Sequence, residues 1–148
     1  MKPAAMKGLS LAGLLLMMVG MLGLLGTRSL FARNAVGIAV QVAAFGLMVW
    51  ARLTFGSRSF HATADPTPGG LVTTGPYRYV RHPIYTAICL FGWAGVVSNP
   101  SGLAAALGVV LTAGAIVRMF CEERLVVERY PEYREYARRT KRMVPYVF

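Results

Sequence analysis

The stretch Gly75-Pro76-Tyr77-Arg78-Tyr79-Val80-Arg81-His82-Pro83-Ile84-Tyr85 concentrates cations, phenols and an imidazole around a proline. Pro83 suits the first position of a helix, where a missing N–H costs nothing. A helix that starts there sets His82 and Tyr85 three residues apart, on one face of its first turn. Free N–H groups at a helix start, with Arg81 beside them, suit an anion. The competing reading is a belt of Arg and Tyr side chains at a membrane interface.

A second cluster, Arg118-Met119-Phe120-Cys121-Glu122-Glu123-Arg124, carries two adjacent carboxylates. They stand at the end of an apolar run, where a helix C-terminus prefers cations. Acidic residues near membrane depth are costly and mark function. Neighbouring helix residues point about 100° apart, so Glu122 and Glu123 need not share a role. Arg118 lies four residues before Glu122 and can pair with it. The alternative is a solvated run of mixed charge, continued by Glu128, Arg129 and Glu132.

The third cluster is Tyr133-Arg134-Glu135-Tyr136-Ala137-Arg138-Arg139-Thr140, followed by Val144-Pro145-Tyr146. Tyr133, Tyr136 and Thr140 share a helical face. Arg134, Arg138, Arg139, Lys141 and Arg142 cover the rest. Such a helix can lie on anionic headgroups, or its aromatic groups can close a ligand pocket.

These clusters must be positioned by apolar elements. Of 148 residues, 55% are hydrophobic and 15% charged, with a net charge of +10. Soluble domains carry about a quarter charged residues. The apolar residues come in long runs, which sets the basic charge against an anionic membrane surface rather than a nucleic acid. Gly8 to Gly26 and Asn34 to Ala51 are free of charge and near the length of a span, while Ile84–Ser98 and Leu103–Val117 are shorter. Asn99-Pro100-Ser101-Gly102 separates the last two and predicts a tight helical hairpin. Gly20-Met21-Leu22-Gly23 lacks the four-residue spacing of the common helix-pairing motif.

The expected fold is therefore an all-α integral membrane domain over 1–148 with four transmembrane helices. Residues 1–51 form two spans, 52–83 a loop, 84–117 the hairpin and 118–148 a helical tail. Charge orients it. With both termini inside, fourteen Lys/Arg lie on the inner side and only Arg28 and Arg33 outside. The loop and tail then gather in the cytosol, at the inner membrane of a bacterium. An irregular linker is expected at 64–70 and a turn at 73–76. A first-span signal peptide is disfavoured, since no small-x-small cleavage site follows. His61 and His82 lack metal-ligand spacing, and the two cysteines have no ligand neighbourhood, so no metal is expected.

In order, the chain carries Arg81-His82-Pro83-Ile84-Tyr85, Asn99-Pro100, Arg118, Glu122-Glu123, Tyr133-x-x-Tyr136 and Val144-Pro145. This series resembles the isoprenylcysteine carboxyl methyltransferase family and its phospholipid N-methyltransferase relatives over residues 71 to 146. Ala87, Phe91, Val126 and Tyr130-Pro131 depart from its usual residues. The resemblance implies S-adenosylmethionine as cofactor and methyl transfer to a lipophilic acceptor at the cytosolic membrane face. It implies catalytic roles for Arg118, Glu122 and Glu123. It implies cofactor contacts at Tyr77, Val80, Arg81, His82, Pro83, Tyr85, Glu122, Glu123, Tyr133, Tyr136, Val144 and Pro145. An isoprenylcysteine-type carboxylate is the favoured acceptor and a phospholipid amine the alternative. An NADPH-dependent membrane reductase and a non-catalytic membrane protein are the readings from other classes.

Overall fold

The computed structural model describes residues 3–56 and 70–145. Five α-helices organise them: α1 (Pro3–Gly26), α2 (Ala35–Phe55), α3 (Pro83–Ser98), α4 (Gly102–Arg129) and α5 (Tyr133–Arg139). A 3-10 turn at Gly75–Arg78 precedes α3. No strand is present among the described residues, only an isolated bridge between Val80 and Lys141. Residues 64–69 of the expected 64–70 linker, His61 and Tyr146 lie outside the described residues.

Local chemistry accounts for the helix limits. Pro83 opens α3 as expected. Asn34 caps α2, its side chain accepting from Gly37 N at 2.7 Å. Ser101 caps α4 in the same way through Ala104 N, at 3.0 Å. The fourth apolar run and the first half of the tail are one helix of 28 residues. Three helices, α1, α2 and α4, are long and apolar enough to cross a membrane. Helix α3 has 16 residues, a rise of about 24 Å, short of the hydrocarbon thickness of about 30 Å.

The most extensive helix contact joins elements far apart in sequence. Helix α1 lies along α4, α2 along α3, and α3 against α4. The α1–α4 contact is backbone to backbone. A Cβ on Gly13 would stand 2.9 Å from Gly114 O, and one on Gly114 2.6 Å from Gly13 O. Gly20 meets the Leu111 backbone nitrogen at 2.8 Å in the same sense. Small residues let helices approach this closely in a bilayer. The pairing residues are thus seven apart on α1, which is why the four-residue motif is missing. Leu24, Leu111, Ala115 and Met119 fill the adjoining core. The opposite faces carry exposed Leu15, Val19 and Leu22 on α1 and Val36, Val42, Phe45 and Leu53 on α2.

One end of the bundle is closed by polar contacts. Gln41 is buried and donates to Leu30 O at 2.7 Å and Phe91 O at 3.0 Å, while accepting from Ala32 N at 3.0 Å. Asn99 Nδ2 donates to Phe31 O at 2.9 Å. The α1–α2 connection is thereby fixed to α3 and to the hairpin turn. The other end gathers the starts of α1 and α3, the end of α4, and α5. Met6 packs there with Cys121 and Leu125, and Phe55 meets Tyr77 with ring centroids 5.5 Å apart. The turn at Gly75 needs its glycine: φ is +56°, and a Cβ would lie 2.6 Å from Thr54 Oγ1.

Candidate functional site

At that second end the chain before α3 runs beside the chain after α5. Arg81 N donates to Lys141 O at 2.8 Å and His82 N to Arg142 O at 2.9 Å. Thr86 Oγ1 donates to Met143 O at 2.8 Å. These bonds tie the Arg-His-Pro segment to the tail from the far end of the sequence. The last turns of α4 project between them.

Glu122 and Glu123 split their partners. Glu122 Oε1 accepts from Tyr85 OH at 2.5 Å and from Arg118 Nε at 3.1 Å. Arg118 Nε also donates to Tyr85 OH at 2.7 Å, so three side chains close a triangle between α3 and α4. Glu123 Oε1 accepts from Arg81 Nε at 2.8 Å and lies 3.2 Å from His82 Nε2. Its Oε2 accepts from Arg142 Nε at 3.0 Å. Tyr133 OH reaches the same carboxylate at 3.4 Å. His82 stands between the two acids, with Nδ1 3.9 Å from Glu122 Oε2. Its ring stacks on Tyr85 at 5.7 Å between centroids. The expected i,i+4 pair Arg118–Glu122 and the shared face of His82 and Tyr85 are both present.

Exposure separates the two acids further. The Glu123 side chain is 11% exposed and the Glu122 side chain 24%. Arg81 commits its guanidinium to the protein: besides Glu123 it donates to Ala137 O at 2.9 Å and to Thr140 O. It therefore ties α3, α4 and α5 together. Glu122 is the more open of the two carboxylates, with His82 and Tyr85 beside it.

The aromatic residues form a second layer. Tyr136 OH donates to Tyr77 O at 2.6 Å, and Tyr133 and Tyr136 meet edge to face. Burial pushes the Tyr136 phenol up to about 12. Burial, and then the charge of Glu123, raises Tyr133 above the usual phenol range. Burial and then Tyr136 do the same to Tyr77. All three phenols stay neutral at ordinary pH.

Of the residues singled out in the sequence, Tyr77, Val80, Arg81, His82, Pro83, Tyr85, Arg118, Glu122, Glu123, Tyr133 and Tyr136 come together at this end. Val144 and Pro145 are exposed beyond Met143 and take no part in the hydrogen bonds just described. Arg142 is a component the sequence did not single out. It sits within a basic run, and nothing in its spacing distinguishes it from Arg138 or Arg139. Its guanidinium also lies over the Phe120 ring, 4.8 Å from the centroid. Among the described residues no group of three or more His, Cys, Asp or Glu side chains is placed to hold a metal ion.

Fold and site together define a helical membrane protein with a charged, hydrogen-bonded centre at one end of its bundle. The chain belongs to the phospholipid methyltransferase family, whose model matches residues 32–133. That range covers α2, α3, α4 and the Arg-His-Pro segment. The chain is 40% identical over 80 residues to the cobalt-zinc-cadmium resistance protein CzcN of Cupriavidus metallidurans, covering 51% of this chain and 35% of the relative. It is likewise 40% identical over 80 residues to the nickel-cobalt-cadmium resistance protein NccN of Alcaligenes xylosoxydans xylosoxydans, covering 51% and 36%. The chain thus matches about a third of the length of these curated relatives. No solved structure matches.

Proposed function

We propose that this protein transfers a methyl group from S-adenosylmethionine to a lipophilic acceptor at the cytosolic face of a membrane. The observation that carries the reading is the pair Glu122–Glu123 held by Tyr85, Arg118, His82, Arg81 and Arg142. It joins three distant segments at one end of an apolar bundle, within a methyltransferase family match.

The donor set fits the cofactor's amino-acid end. An ammonium suits the more open Glu122 carboxylate, with His82 and Tyr85 beside it, and a carboxylate suits the Arg118 side of the same triangle. Tyr77 and Tyr136 offer aromatic surface to an adenosine. When bound, S-adenosylmethionine supplies an electrophilic methyl carbon. The protein's task is then alignment and exclusion of water, since in-line displacement needs geometry more than proton transfer.

The network favours an acceptor that arrives ionised. Both carboxylates already accept from cations or phenols, and His82 lies between them. An amine acceptor must first lose a proton to a base, whereas a carboxylate need not. We therefore favour an isoprenylcysteine-type carboxylate. A phospholipid amine is the second reading, supported by the family description.

The proposed topology has four spans with both termini cytosolic, α3 being completed by its flanks or by local thinning of the bilayer. Two features support it. The start of α1 shares an end with the site, and the Lys/Arg asymmetry favours that end inside. A reporter fused after Phe148 is expected to be active in the cytosol only, and activity on the far side would overturn this arrangement.

The function is tested with purified protein in nanodiscs and radiolabelled S-adenosylmethionine. Farnesylated N-acetylcysteine and phosphatidylethanolamine serve as acceptors. Label released as methanol by mild base reports an ester; base-stable label in the lipid reports N-methylation. Titration with S-adenosylhomocysteine and with NADPH separates the cofactor classes. Binding of neither would remove the methyltransferase reading.

A further inference from the structure

Beside the Glu123 network, between the end of α4 and α5, opens a cleft of about 1000 Å³. Its outer walls carry Arg124, Arg134, Arg138 and Lys141, all exposed. Among the described residues none of these four side chains has an ion pair or a side-chain hydrogen bond. The one outer-wall carboxylate is Glu128. Among the described residues, four cations face one acid on these walls, so the rim is strongly positive. The inner wall is mixed: Phe120, Val127 and Ala137 give apolar surface, and Arg81, Glu123 and Arg142 of the network above form its polar part.

The level of the cleft identifies its occupant. Helix α4 has 28 residues and rises about 42 Å, while the hydrocarbon layer is about 30 Å thick. About 20 residues counted from Gly102 fill that layer, so the segment that holds Phe120 to Glu128 leaves the acyl region and passes the headgroups. A cationic rim beside the apolar Phe120 and Val127 at this depth matches a molecule with a phosphate head and an acyl chain. Basic side chains at a cytosolic leaflet each gain on the order of 1 kcal/mol from anionic lipid. An inorganic phosphate would use the rim and leave Phe120 and Val127 uncovered.

We propose that this cleft is a binding site for one anionic phospholipid, with the headgroup phosphate held by Arg124, Arg134, Arg138 and Lys141, the glycerol backbone beside Val127 and an acyl chain leaving past Phe120 into the hydrocarbon layer. The lipid docks the α4–α5 junction to the membrane. The cleft shares Arg81, Glu123 and Arg142 with the network described above, but lipid binding at its rim is read without any methyl transfer and stands without that reading.

The full chain in detergent is titrated with phosphatidylglycerol, phosphatidylcholine and inorganic phosphate, reading bound lipid by native mass spectrometry and the thermal midpoint in parallel. Phosphatidylglycerol is expected to bind at least tenfold more tightly than phosphatidylcholine and to raise the midpoint. Inorganic phosphate at equal concentration is expected to do neither. The variant Arg134→Gln/Arg138→Gln/Lys141→Gln should lose at least tenfold in phosphatidylglycerol affinity. A control with the same charge change on exposed cations outside the cleft, Arg78→Gln/Arg129→Gln/Arg139→Gln, should retain it. Equal loss in the control would overturn the site in favour of diffuse surface charge. Equal binding of the two lipids, or a phosphate effect matching that of phosphatidylglycerol, would overturn the lipid assignment.

Discussion

Arg81 and Glu123 lie 42 residues apart in sequence and meet at 2.8 Å, with side chains only 6% and 11% exposed. Arg81 also donates to Ala137 O and Thr140 O. One guanidinium therefore bonds to the end of α4 and to both the interior and the exit of α5. Breaking a buried pair leaves an uncompensated charge, at a cost of about 3–5 kcal/mol. Arg81→Ala is expected to lower the thermal midpoint in detergent steeply. Arg81→Lys should recover only part of it, since an ammonium lacks the planar fork that reaches three acceptors. A midpoint unchanged in Arg81→Ala would show that the tie does not hold α5.

Glu122 and Glu123 should separate on substitution. Glu123→Gln removes the charge from a carboxylate shared by Arg81, His82 and Arg142 and is expected to destabilise the fold. Glu122 is more open and bonded to fewer cations. Glu122→Gln should leave the thermal midpoint within about a degree or two while methyl transfer falls on the order of a hundredfold, the effect of losing a charge-assisted hydrogen bond worth about 2–3 kcal/mol. Identical stability and activity profiles for the two variants would contradict the division of roles.

His82 stands between the two acids. His82→Ala is expected to weaken S-adenosylhomocysteine binding at least tenfold, about 1.4 kcal/mol, in calorimetric titration. An anchoring role at the interface predicts the opposite pattern: altered insertion with affinity intact.

The α1–α4 contact predicts a contrast between glycines. Alanine normally stabilises a helix relative to glycine. At Gly114 the added Cβ would stand 2.6 Å from Gly13 O, whereas at Gly46 nothing lies within 4 Å. Gly114→Ala should lower the thermal midpoint and Gly46→Ala should hold or raise it. A neutral Gly114→Ala would mean that the two helices are not held at this distance.

Alkaline pH should act through the phenols. Tyr136 titrates at about 12 when folded and at about 10 when unfolded. The raised value means that the folded state keeps its proton where the unfolded chain loses it. This contribution to stability is complete below pH about 10 and is lost as pH rises through about 12. Thermal midpoints across that window should fall with the growth of phenolate absorbance. Complete phenolate titration near pH 10 in protein that remains folded would show that these rings are not buried.

What the sequence determined by itself was local or periodic. Apolar runs set the helices because each buries a continuous face. Pro83 and Ser101 fix helix starts because their effects act within one turn. The i,i+4 pair Arg118–Glu122 and the His82–Tyr85 face follow from helix geometry alone. The motif order indicated the family. Tertiary structure decided which helices pair, because Gly13 and Gly114 recognise each other through shape across about a hundred residues, and no linear spacing records that. It recruited Arg142, which its sequence neighbours resemble in charge but not in position. It also separated two adjacent glutamates. Their directions diverge by the helix rotation, but only the packed α3 and α5 determine that one meets a phenol and the other a set of cations.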